Sequence, residues 1–156
     1  MRPVWIVVVM GVSSTSRAEP YASVQVRDDA EHPLRVGGGI AVRGVMVSAL
    51  VDPQAMIDGL HVGDVAVGAR LGPATLALGW RNTAIPFAGG IRFYESAVIA
   101  ASLPVVQWSR FTLCVGVEVS ALMVAHGTTM PVQWISGDTW QRSLTTDLFI
   151  QVRYGR

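Results

Sequence analysis

The 156-residue chain contains no lysine; its twelve basic residues are all arginine. Charge of either sign is scarce, at 15% of residues against about 25% in ordinary soluble proteins. The formal net charge is +1, which excludes the strongly basic surface that nucleic acid or an anionic bilayer would require. A single cysteine, Cys114, excludes an intrachain disulfide and a cysteine-based zinc site, and it reads as an inert buried thiol among apolar neighbours. The three histidines, His32, His61 and His126, show no metal-ligand spacing, so neither metal nor cofactor is expected. No run beyond the N-terminus reaches the 18 or so apolar residues of a transmembrane helix. What is present is 51% hydrophobic residues, 16 glycines and a mean hydropathy of +0.42, too apolar for a disordered chain. The length fits one domain.

Residues 1–18 read as a secretory signal peptide. Arg2 supplies the positive start and Val4 to Val12 the short apolar run. Ser16-Arg17-Ala18 then places small residues three positions and one position before a cut. Cleavage after Ala18 removes two arginines and turns the net charge to about −1. Export is therefore expected, with residues 19–156 as the mature domain. The alternative is a first β-strand, because valine and isoleucine favour strands.

The remainder alternates with period two, the spacing that sends successive side chains to opposite faces of a sheet. From Phe111 to Ala125 the odd positions carry Phe, Leu, Val, Val, Val, Ala, Met and Ala. The even positions begin Thr112, Cys114, Gly116, Glu118 and Ser120. The same alternation runs through Asp64–Leu71, Ala74–Arg81 and Asp147–Tyr154. Turn signals divide the chain into eight expected strands, at about 20–28, 34–42, 45–51, 60–71, 74–82, 91–107, 111–125 and 144–155. The second and third are separated only by Arg43-Gly44. Asn82 to Gly90, which contains Pro86, reads as a loop, and Glu95 to Ser102 could be a short helix instead of strand.

Two all-β architectures compete for this pattern. A soluble barrel turns its apolar face inward and needs a well-charged exterior. Here the second face is mostly Gly, Ala, Thr and Ser with about one charge per strand, too poorly solvated for an exterior. A membrane barrel reverses the arrangement: the apolar face meets lipid, and small residues with a few charges fill a narrow interior. Connections that alternate long and short fit a barrel whose ends both lie on one side of the membrane. The expected fold is thus an eight-stranded antiparallel up-and-down transmembrane β-barrel.

With its leader, its alternating strands and a last strand LFIQVRY that places an aromatic near the C-terminus, the chain resembles the small outer-membrane β-barrel proteins of Gram-negative bacteria. The resemblance covers about residues 20–156 and identifies no subfamily. It implies an outer-membrane location, contact with outer-membrane lipid, and recognition of the last strand by a barrel-assembly machinery. The chain departs from the usual ending by placing Gly155-Arg156 after Tyr154.

In such a barrel the inward face would carry Arg35, Arg70, Arg81, Arg92 and Arg153 with Asp64, Glu118 and Asp147. These charges must pair, because an unpaired buried ion costs several kcal/mol. The expected result is a plug of ion pairs, since eight strands leave an interior only wide enough for side chains; a polar conduit or a small-ligand site is the alternative. Trp80, Trp108, Trp134, Trp140 and Tyr154 fall near expected strand ends and suit an aromatic girdle, although packing within a β-protein core would also place them. Gly37-Gly38-Gly39 precedes a strand-like segment, not a helix, and so reads as close strand packing or a bulge and not a phosphate loop.

His126-Gly127-Thr128 invites one further comparison. Some eight-stranded outer-membrane lipid A deacylases use a His, a nearby Ser and a Glu on the outer surface. Here Thr replaces Ser and Glu118 points to the other face, so a loop histidine is the simpler reading. No enzyme is expected. The leading expectation is a structural or loop-mediated interaction role, carried mainly by 126–143. A secreted, lipocalin-like soluble barrel that binds a small apolar ligand is the runner-up, and an outer-membrane lipid-modifying enzyme the weaker third.

Overall fold

The computed structural model describes residues 18–28 and 33–155. The leader read at 1–18 lies outside the described residues except for Ala18, as do His32 and Arg156. Eight long strands follow one another: β1 (Glu19–Arg27), β2 (Leu34–Val42), β3 (Val45–Val51), β4 (His61–Leu71), β5 (Ala74–Phe87), β6 (Gly90–Trp108), β7 (Phe111–Gly127) and, after a two-residue β8 (Gln133–Trp134), β9 (Thr145–Gly155). Each pairs antiparallel with its neighbours. Pairing of β1 with β9 and of β6 with β7 closes the sheet into an eight-stranded up-and-down barrel, with β8 an accessory against β7.

The polarity of the two faces is the reverse of a soluble barrel. On β1 the buried side chains are Ser23, Gln25 and Arg27, while Val24 and Val26 are exposed. On β9 Gln151 is buried and Leu148, Ile150 and Val152 are exposed. On β4 and β5 Asp64, Thr75 and Arg81 are buried, whereas Val65, Val67, Leu76 and Leu78 face out. An apolar belt therefore runs around the outside of a polar interior.

Glycine inside the barrel makes room for large side chains from neighbouring strands. A Cβ on Gly39 would come within 2.8 Å of the Tyr21 ring, and one on Gly116 within 2.3 Å of the Phe149 ring. Each aromatic thus lies over a cross-strand glycine. Gly37 and Gly39 admit the carbonyl oxygens of Ala49 and Val47, which is the close strand packing that the glycine run suggests.

At one end the strands are joined by two-residue turns at Arg43-Gly44, Gly72-Pro73 and Ser109-Arg110. Arg43 and Gly44 both have positive φ (49° and 82°), as the turn type that matches strand twist requires. At the other end lie Asp28 and Pro33, a 52–60 segment containing helix α1 (Pro53–Ile57), and a 128–144 segment containing β8 and helix α2 (Gly137–Arg142).

Two expectations are corrected here, the loop at 82–90 and the alternation of connection lengths. Asn82 to Gly90 is not a loop: β5 continues to Phe87 and turns at Ala88-Gly89 directly into β6. Pro86 is tolerated because β4 pairs with β5 only up to His61–Ala84, so that edge is vacant beyond. The pair Phe87–Gly90 closes the hairpin, which turns the nitrogen of adjacent Pro86 toward the vacant edge. Glu95 to Ser102 is strand throughout, as the expected strand at 91–107 has it, and the short-helix alternative drops out. Strands β5 to β7 consequently project as a wall beyond the shorter β1 to β3. The strict long–short alternation of connections fails at 88–89, where length has gone into the strands instead.

Candidate functional site

Two groups of polar side chains stand out, one inside the barrel and one on its outer face. The inner group is a chain of alternating charges. Asp52 caps α1 by accepting from the Ala55 amide (2.8 Å), is fully buried, and pairs with Arg35. Arg35 also faces Asp64 (Nε–Oδ2 3.8 Å). Asp64 receives Arg81 through two bonds, Nε to Oδ1 at 2.7 Å and Nη2 to Oδ2 at 3.0 Å. Arg81 Nη2 continues to Glu118 Oε1 (2.5 Å), Glu118 lies 3.2 Å from Arg27 Nη2, and Arg27 closes on Asp147. These seven residues come from β1, β2, β4, β5, β7, β9 and the α1 cap, so the network ties the barrel wall across its own lumen.

The register explains the place of Arg27. Glu118 and Asp147 are directly opposite one another on β7 and β9, a destabilising like-charge pair unless a cation lies between. Arg27 occupies that position. Its Nε and Nη1, and Arg35 Nε, are buried without a hydrogen bond among the described residues. Below the network a cavity of about 70 Å³ touches Gln25, Leu50, Asp64, Val98 and Glu118, room for about two waters.

Of the arginines and acids expected inside, Arg35, Asp64, Arg81, Glu118 and Asp147 meet in this network; Arg70, Arg92 and Arg153 do not. Arg70 has the inward parity but sits at the turn end, where its Nε donates to the Gly72 carbonyl in solvent. Arg92 is exposed on the projecting wall, its guanidinium 4.8 Å from the centre of the Phe87 ring. Arg153 is half-buried inside but contacts no carboxylate among the described residues. It donates to Gln151 Oε1 (2.8 Å) and Ser102 Oγ (3.3 Å) and lies over Tyr21. Arg27 and Asp52 were missed by sequence reasoning because both stand at strand ends beside connections that read as solvent-exposed. The parity of Arg27 with Ser23 and Gln25 was the available signal.

The outer group forms where the apolar belt ends. By register Gly63, Asn82, Glu95 and Val124 share one outward row, and His61, Ala84, Phe93 and His126 the next row toward the loop end. Glu95 accepts from the Trp80 indole (2.5 Å) and from Asn82, and its Oε1 lies 3.6 Å from His126 Nε2. The Phe93 ring stacks on His126 at 5.0 Å. A register shift between Glu95 and Ser96 sits at this place. His126 thus belongs to a strand, not to a loop, and its carboxylate neighbour is Glu95; Glu118 is buried inside. Among the described residues no hydrogen bond joins Thr128 to His126: the Thr128 hydroxyl accepts from the Ile91 amide (3.1 Å).

The aromatic residues occupy separate levels. Trp108, Phe111 and Tyr154 cluster at the turn end, with centroids 6.5 and 5.0 Å apart. Trp134, 74% exposed on β8, and Trp140, half-buried on α2, stand at the loop end. Trp80 lies at the upper border of the belt. No protein-family model matches the chain, and neither the curated proteins nor the solved structures contain a match. Among the described residues no cluster of His, Cys, Asp and Glu is arranged to hold a metal ion.

Proposed function

We propose that the protein is a small outer-membrane β-barrel, stable in the bilayer by virtue of an internal ion-pair plug, with a structural or interaction role carried by its loop end. The observation that supports this most is the inverted polarity. Valine, leucine and isoleucine line the outside of every long strand, while the buried positions hold Arg27, Arg35, Asp64, Arg81, Glu118 and Gln151. In water such an exterior would aggregate, since apolar patches on soluble monomers rarely exceed a few hundred Å². In a bilayer it is the expected lipid-facing band. Trp108 and Tyr154 at the turn end, and Trp80, Trp134 and Trp140 toward the loop end, suit the two interfacial levels. The alternating strand Leu148–Tyr154 is the segment through which an assembly machinery would take up the chain.

A lipocalin-like soluble barrel is less well supported, because its ligand would need an apolar interior and this lumen is ionic. A lipid-modifying enzyme is less well supported, because among the described residues no hydroxyl or thiol hydrogen-bonds His126. The deciding experiment is fractionation of the tagged mature chain. The expected outcome is retention in the outer-membrane fraction after a carbonate wash, with altered gel migration when the sample is not heated. Recovery as a detergent-independent soluble monomer would overturn the membrane reading and promote the soluble barrel.

A further inference from the structure

We infer that the outward cluster of Trp80, Asn82, Phe93, Glu95 and His126 is a binding subsite for the sugar headgroup of a membrane glycolipid, an inference that rests on the membrane reading above. A carboxylate on the lipid face of a barrel costs about 2–4 kcal/mol at the bilayer midplane and about 0–1 near the interface. Glu95 stands on the first outward row beyond Trp80, where the apolar belt of Val65, Leu78 and Ile99 gives way to polar residues. That row is the level of headgroups, with acyl chains against the belt beneath it.

The chemistry of the cluster selects among headgroups. Glu95 repels a phosphate. Its oxygens accept from Trp80 and Asn82 and its Oε1 faces His126, partners with which a lipid ammonium would have to compete. What the cluster leaves open is neutral. The Asn82 carbonyl oxygen and the second nitrogen of His126 have no partner among the described residues, and the Trp80 side is 42% exposed. Hydroxyls that donate and accept, on a ring whose C–H face packs on an indole, match those groups. Glu95 then acts by orienting them: it holds the Trp80 ring and the Asn82 amide and faces one His126 nitrogen, which leaves the other for a ligand.

The test uses the full mature chain in phospholipid nanodiscs doped with an acylated glucosamine disaccharide. Lipids co-purifying after detergent extraction are read by native mass spectrometry. Enrichment of the glycolipid over phosphatidylglycerol and phosphatidylethanolamine is expected. A loss of about tenfold in H126A, N82L and E95Q, the upper end of what one neutral hydrogen bond contributes, is expected with unheated gel migration unchanged. Because E95Q keeps an acceptor for the indole, it guards against a mere folding defect. Equal retention by wild type and all three variants overturns the subsite, as does preference for either phospholipid. Failure of the wild type to enter nanodiscs at all overturns the membrane reading instead.

Discussion

At the residue scale the barrel depends on which charge is removed. Arg27 separates two carboxylates that the β7–β9 register sets face to face, whereas Glu118 shares two arginines that each keep another acid. Arg27→Met leaves Glu118 and Asp147 opposed in a low dielectric and is expected to destabilise by about 3–5 kcal/mol. Glu118→Gln, which also relieves that opposition, is expected to cost clearly less. Chemical unfolding in detergent measures both, and a larger loss for E118Q would show that Arg27 is not the keystone. Asp52 has two separable tasks. Asp52→Asn keeps the acceptor for the Ala55 amide and loses the charge facing Arg35; Asp52→Ala loses both and is expected to be about 1 kcal/mol worse. Identical midpoints for the two variants would mean that the α1 cap contributes nothing.

At the element scale the strands were legible because alternation survives any register. The Arg43-Gly44 turn reads partly from the dipeptide and partly from the even strand count it restores, and the structure puts both residues at positive φ. Pro86 misled for a tertiary reason: whether proline fits a strand depends on a neighbour, and the end of β4 at His61 is invisible from residues 82–90. The interior acids and arginines were legible by parity where they fell within strands, as Asp64 and Glu118 did. Parity alone could not separate Arg70, which has the right phase at the wrong height, from Arg81 one strand away. Glu95 was the least legible, because its significance lies in Asn82 and His126 on two other strands. The projecting wall yields its own expectation. Replacing Pro86–Ile91 by Asn-Gly, which joins the hydrogen-bonded pair Ile85 and Arg92 through a favoured two-residue turn, removes strand that β4 does not reach. The shortened protein is expected to keep its unheated gel shift and its unfolding midpoint; loss of either would show that the wall is part of the folding core.

At the scale of the whole molecule the seven-membered charge chain and the small cavity beneath it describe a closed lumen. On the membrane reading, planar bilayers containing the purified protein are expected to show no steady conductance. Stepwise ionic currents from the wild type would contradict an interior plugged by Arg81, Glu118 and their partners. The uneven height of the wall has a separate consequence. β3 has only 7 residues, about 23 Å of strand and about 18 Å of height once tilted, whereas the apolar band of such barrels is about 25 Å tall. β6, at 19 residues, has length to spare. The bilayer would therefore be pinched beside β2 and β3 and left at full thickness beside β5 to β7, an elastic strain fixed to one side of the molecule. Short-chain lipids should relieve it, raising the unfolding midpoint, and in thick bilayers the short sides of neighbouring barrels should be drawn together to share a single thinned patch.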